Sequence, residues 1–154
     1  MYLKTSTYKQ GVKKPKTISP IEVALQEVNK MCKDELNLSN LKLSDKDLTK
    51  ISKKLKSMAR VKIIKLERNR LTGKDNLDQG IKSLLKSIKD NYCEILYLSE
   101  NNLKNDTIDY LMSFKKYNQY LKTVYLHQNK IKKNSETLKK KIRSLGKSKN
   151  VVFI

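Results

Sequence analysis

The chain has no tryptophan, one histidine, two cysteines, two prolines and four glycines among its 154 residues. Each scarcity closes off a class of chemistry. Gly11, Gly73, Gly80 and Gly146 are scattered, so no glycine-rich loop can cradle a phosphate. His127 has no second histidine, no acid pair of defined spacing and no serine or cysteine motif with it, which leaves no catalytic constellation and no metal-ligand set. A non-enzymatic protein without a cofactor is the expectation. Cys32 and Cys93 lack Cys-x-x-Cys or His-rich spacing and read as two reduced, packed thiols. No run approaches the roughly 20 apolar residues of a membrane span, and no apolar signal core follows Met1. The expected setting is therefore intracellular, without a membrane partner.

Acid is scarce too. Thirty-five Lys and Arg face fifteen Asp and Glu, a net charge of +20, with −1 over residues 93–120 and +9 over 121–154. A charge run is usually a solvated face, yet an excess this large in a small chain implies self-repulsion that a polyanionic partner, RNA among them, would relieve. The candidate polyanion-binding residues are Lys13, Lys14 and Lys16 near the N-terminus, Lys53 and Lys54 on a first amphipathic helix, and Lys139, Lys140, Lys141 and Arg143 around the last one. Residues 1–18 form an extended basic arm, whose first seventeen positions hold five lysines and no acid. It reads as a disordered tail, a segment ordered against a partner, or a targeting presequence. The compartment is then cytoplasmic, or an organelle such as the mitochondrion.

What the sequence does contain is repetition. VKIIKLERNRL at Val61–Leu71 returns as CEILYLSENNL at Cys93–Leu103 and LKTVYLHQNKI at Leu121–Ile131. A degenerate copy, KDELNLSNLKL at Lys33–Leu43, has Leu41 where the others have Asn69, Asn101 and Asn129, and a truncated copy begins at Lys149. The starts at 33, 61, 93, 121 and 149 are 28, 32, 28 and 28 residues apart. Alternating Ile64 and Leu66, Leu96 and Leu98, and Val124 and Leu126 predict strands with one apolar face. Between them Leu48, Ile51, Leu55 and Met58 recur at helical spacing. So do Leu77, Ile81, Leu84, Leu85 and Ile88, then Ile108, Leu111, Met112 and Phe114, and finally Leu138, Ile142 and Leu145. The repeated Asn reads as a ladder bonding neighbouring backbone, with almost no weight as a site.

The pattern L-x-x-L-x-L-x-x-N-x-L resembles the leucine-rich repeat family, and its spacing resembles the ribonuclease-inhibitor-like subclass. That resemblance implies an α/β solenoid with parallel strands on a concave face and helices on a convex one. It spans 34–154 as four repeats plus a terminal strand. Residues 19–33 are predicted to be an N-terminal capping helix, with Ser19 as N-cap, Pro20 in the first helical position and Glu22 closing a capping box. The apolar last strand is expected to offer an edge to a partner or a second copy.

In the resembled fold the residues between the buried leucines face outward, Ser99 and Glu100 among them. One row is then Asn37, Lys65, Tyr97, Tyr125 and Phe153, and its neighbour is Glu35, Ile63, Ile95, Thr123 and Val151. Lys65, Arg68, Tyr97, Tyr125, His127 and Phe153 are the candidate protein-binding residues, because exposed aromatics beside Ile mark an interface. The plainer alternative is that aromatic and β-branched side chains suit strands. Two functions compete: a structural or adaptor subunit of a ribonucleoprotein such as a ribosome, or a free protein-interaction module, regulatory or cytoskeletal. The family hosts both.

Overall fold

A computed structural model of the chain describes residues 18–29, 34–56, 60–73, 80–89, 91–115, 118, 120–132, 140 and 152–153. The basic arm up to Thr17, Cys32, Met58, Leu77 and the expected last helix with Leu138, Ile142 and Leu145 lie outside the described residues. Helix α1, Pro20–Asn29, opens as its sequence predicts: Ser19 N donates to Glu22 Oε2 at 2.8 Å and Glu22 N donates to Ser19 Oγ at 3.3 Å. Strand β1, Glu35–Asn37, follows, then α2, Asp45–Leu55, β2, Ile63–Lys65, α3, Gly80–Ser87, β3, Ile95–Tyr97, α4, Asp106–Lys115, β4, Thr123–Tyr125, and β5, Val152–Phe153. Helix α2 has a second capping box, in which Ser44 and Asp47 exchange backbone-to-side-chain bonds of 3.3 and 3.0 Å. None of these helices is long and apolar enough to cross a membrane.

The strands form one parallel sheet in chain order, so every connection advances the chain by one position along the sheet. Register aligns the repeats: Leu36 pairs with Ile64, Ile64 with Leu96 and Leu96 with Val124. All four are buried, and their strand neighbours on either side are not. They join Leu48, Ile51 and Leu55 of α2, Ile81, Leu84 and Leu85 of α3, and Ile108 and Leu111 of α4 in a single apolar cluster. The described helices therefore cover one face of the sheet, and among the described residues the other face is left open. Leu66, Leu98 and Leu126, just past their strands, close the same interior at 0%, 0% and 8% exposure.

Two features knit successive units. The first is the Asn ladder. Asn69 Oδ1 accepts from Leu41 N at 3.2 Å and Leu43 N at 3.0 Å, while its Nδ2 donates to Leu38 O and Leu66 O, each at 2.9 Å. Asn101 does the same for Leu71 N, Leu66 O and Leu98 O, and Asn129 for Leu103 N, Leu98 O and Leu126 O. Each amide thus serves the turn of the preceding unit as well as its own. That explains why the first copy does without one: Leu41 needs a donor's partner from Asn69, and no earlier unit waits for an Asn at position 41. The second feature is Gly80, where a Cβ would come within 2.7 Å of the Asp45 backbone. Its bare Cα lets the start of α3 sit against the start of α2.

Beyond β4 the expected register fails by one residue. Val152 pairs with Thr123, and Phe153 pairs with Val124 rather than Tyr125. The connection to β5 is one residue longer than equal spacing supposes, and a one-residue shift exchanges the two faces of a strand. By register, position 153 therefore stands in the column of Leu36, Ile64, Leu96 and Val124, and not in the Tyr97–Tyr125 row assigned to it from sequence.

Candidate binding face

The open face is built by the residues that flank the buried strand centres. Glu35, Ile63, Ile95 and Thr123 stand in one column, and Asn37, Lys65, Tyr97 and Tyr125 in the next, as the repeat alignment predicts. In-register parallel strands put equivalent side chains side by side at strand spacing, close to the contact distance of two aromatic rings. Tyr97 and Tyr125 accordingly lie parallel, with centroids 4.4 Å apart and planes at 4°. Lys65 extends the column on the other side, its Nζ 5.9 Å from the Tyr97 ring centroid and 2.6 Å from Glu35 Oε1. A stack of this kind contributes about 0.5–1.5 kcal/mol beyond the area it covers. Burial pushes the Tyr97 hydroxyl above its ordinary pKa, and neighbouring Tyr125 adds to the effect. The hydrogen bond to Glu35 raises Lys65 in turn, so this ammonium stays charged.

The next column is polar. Ser39 Oγ donates to Glu67 Oε2 at 2.8 Å, and Ser99 Oγ lies 2.8 Å from His127 Nδ1. His127 is exposed beside Tyr125, which matches its expected position, and its ring orients against Ser99. Ser99 is 1% exposed, so it belongs to the scaffold and not to the outward surface expected for it. Arg68 sits in the turn beyond, with φ of 54°, and its Nε meets both carboxylate oxygens of Glu100 at 3.0 and 2.9 Å. Asn40, Glu100 and Gln128 take the same left-handed conformation at equivalent positions. The turn is thus a repeated backbone device that the Asn ladder holds in place.

Charge on this side is cancelled locally. Besides Lys65–Glu35 and Arg68–Glu100, the positions just before the strands pair Lys62 with Asp34 and Lys122 with Glu94, both at 2.7 Å. These are solvent-exposed pairs and add little to stability. Their functional consequence is larger, because no cation of these four is left over for a phosphate.

Of the polyanion-binding candidates, three lie among the described residues. Lys53 and Lys54 are exposed in the last turn of α2, and Lys140 is exposed elsewhere in the chain. Lys13, Lys14, Lys16, Lys139, Lys141 and Arg143 lie outside the described residues. Sequence reasoning also missed a second ring column at the other end of the strands. Tyr92 and Tyr120 have centroids 4.6 Å apart, and Arg60 lies 5.8 Å from the Tyr92 ring. The signal was available, since Arg60, Tyr92 and Tyr120 each immediately precede the first position of a repeat. Tyr92 is 42% exposed, one of the two large apolar side chains that stand out among the described residues.

Cys93 is buried and free, as its strand position predicts, and burial pushes its thiol up to about 12. It is a packing group and not a nucleophile. Among the described residues no group of three or more His, Cys, Asp or Glu is placed to hold a metal.

No protein-family model matches the chain, and no curated protein matches it. Among solved structures the chain is similar to one described as leiomodin-1 actin-binding site 2. The TM-score is 0.62, with 83% of this chain and 88% of that chain covered, at 15% sequence identity. What the two share at that identity is the fold: parallel strands with helices, traced over most of both chains.

Proposed function

We propose that this protein is a non-catalytic interaction module, a short solenoid of leucine-rich-repeat type with α1 over its first layer. A protein partner docks on the open sheet face through Tyr97 and Tyr125. The observation that carries the reading is the parallel Tyr97–Tyr125 stack, flanked by partly buried Ile63 and Ile95 on a sheet face that no described helix covers. Rings held rigid by strand register lose little entropy on binding, which suits them as anchors at an interface. A fold shared with an actin-binding site supports a protein-binding role over a catalytic one, and makes actin the first partner to try. The local pairing of Lys62, Lys65, Arg68 and Lys122 favours a protein over RNA on this face. The ribonucleoprotein reading keeps only the overall charge as its support.

A photo-crosslinking residue in place of Tyr97 tests this, with the same residue at exposed Lys50 on α2 as the control. Discrete protein adducts specific to position 97, lost when Tyr125→Ala is added, are the expected result. Adducts of equal yield from both positions, or adducts to RNA alone, overturn it. Titration of labelled actin against the unmodified protein and the Tyr97→Ala/Tyr125→Ala pair then decides whether actin is that partner.

A further inference from the structure

We infer that the groove between α3 and α4, on the helical side of the molecule, is a second docking site, and that its occupant is an acidic amphipathic helix. The groove encloses about 510 Å³. Its floor is apolar: Leu85 and Phe114 are 3% and 6% exposed and form the edge of the main core. Its rim is cationic. Lys82 and Lys86 stand one turn apart on α3, Lys89 follows in the turn just past it, and no acidic side chain lines the groove among the described residues.

Positions 82 and 86 fall on one stripe of α3, about 6 Å apart at 1.5 Å per residue. A facing helix with carboxylates at i and i+4 presents its charges at the same spacing, with apolar residues between them aimed at Leu85 and Phe114. A fatty-acid anion brings one carboxylate and meets one lysine. A second copy of this chain brings a net charge of +20 and is repelled. Charge complementarity along the α3 rim therefore selects the acidic helix. The wall of the groove adds an unused donor, because Tyr110 Oη is buried without a hydrogen-bond partner while Lys82 Nζ lies 5.6 Å from the Tyr110 ring. A carboxylate that draws Lys82 off the ring gives that hydroxyl an acceptor.

The groove is independent of the open sheet face, so the two readings stand or fall separately. The test uses the full chain and a fluorescein-labelled helical peptide of about 18 residues with Glu at i and i+4 and Leu on the intervening face, followed by anisotropy. Saturable binding is expected. Lys82→Glu combined with Lys86→Glu should weaken it by about tenfold or more, since two attractive contacts become repulsive. Ser113→Trp, which fills the groove from an exposed position, should weaken it without a change of charge, and Tyr97→Ala should leave it unchanged. A scrambled peptide of the same composition that binds equally well would assign the binding to general charge attraction and overturn the proposal. So would binding insensitive to both groove variants, or displacement of the peptide by stoichiometric laurate.

Discussion

The Asn ladder carries a prediction whose magnitude can be worked bond by bond. Asn101→Ala removes one acceptor and the donations of one Nδ2. Leu66 O and Leu98 O keep the amides of Asn69 and Asn129, and Ser99 O keeps Arg68 N. Leu71 N loses its partner and remains in the buried part of the turn. One stranded buried donor, with about 1–3 kcal/mol at stake, dominates, and the shared carbonyls add roughly another 1 kcal/mol. The expected loss is about 2–4 kcal/mol, or roughly 5–15 °C in Tm for a chain of this size. Asn69 serves two amides, one buried and one partly buried, so Asn69→Ala should cost more. Asn129 is partly exposed and serves one, so Asn129→Ala should cost less.

Asn101→Asp sharpens the test. The carboxylate cannot donate and faces three carbonyl oxygens, so it should be more harmful at neutral pH than alanine. Its folded-state pKa is then raised above the unfolded value near 3.9. The penalty is fully present above the folded pKa and is relieved as pH falls through it, because the protonated form donates again. Urea unfolding of the wild type, Asn101→Ala and Asn101→Asp at pH 7 and pH 5 reads this out, with each variant compared with the wild type at the same pH. Equal costs at the three ladder positions, or an aspartate variant no worse than the alanine one at pH 7, would refute the ladder as the element that joins the units.

Other expectations follow from single positions. Gly80→Ala puts a methyl against the Asp45 backbone and should lose about 1–3 kcal/mol by thermal or urea unfolding. Gln128→Gly relieves a left-handed backbone at an exposed turn and should be neutral or stabilise by up to about 1 kcal/mol, whereas Gln128→Val should destabilise. With a pKa of about 12, Cys93 holds roughly one part in a thousand of thiolate at pH 9, so site-resolved alkylation should be negligible in the native state and rapid in urea. Fast native alkylation of Cys93 would mean the first strand position is open. RNA binding should be weak and fall steeply between about 0.05 and 0.2 M salt. A tight RNA complex that survives about 0.3 M salt would overturn the preference for a protein partner.

Much of the fold was legible because repetition multiplies a weak signal. A single Leu-x-Leu is ambiguous, but Ile64, Leu96 and Val124 at the same phase of three like segments leave one consistent face, and register aligns them as the sequence predicts. The columns Glu35–Ile63–Ile95–Thr123 and Asn37–Lys65–Tyr97–Tyr125 were readable for the same reason. Failure came where the copies stop being equal. The connection to β5 differs by one residue, which is invisible when the last copy is truncated, and it moved Phe153 out of register with Tyr97 and Tyr125. Ser99 differs for another reason: it keeps its place in the column with His127, but alternation does not say how far neighbouring side chains cover a position.

By itself the sequence determined the order of strands and helices, the apolar interior, the capping box at Ser19 and the structural role of Asn69, Asn101 and Asn129. All of these depend on local spacing or on the identity of one residue. Tertiary structure alone decided which charges meet. It paired Lys65 with Glu35 and Arg68 with Glu100 across strands, stacked Tyr97 on Tyr125, and set Lys82 and Lys86 of one helix along a groove completed by Phe114 of the next. Those contacts join residues some thirty positions apart, so they depend on how far each connection carries the chain before it returns to the sheet.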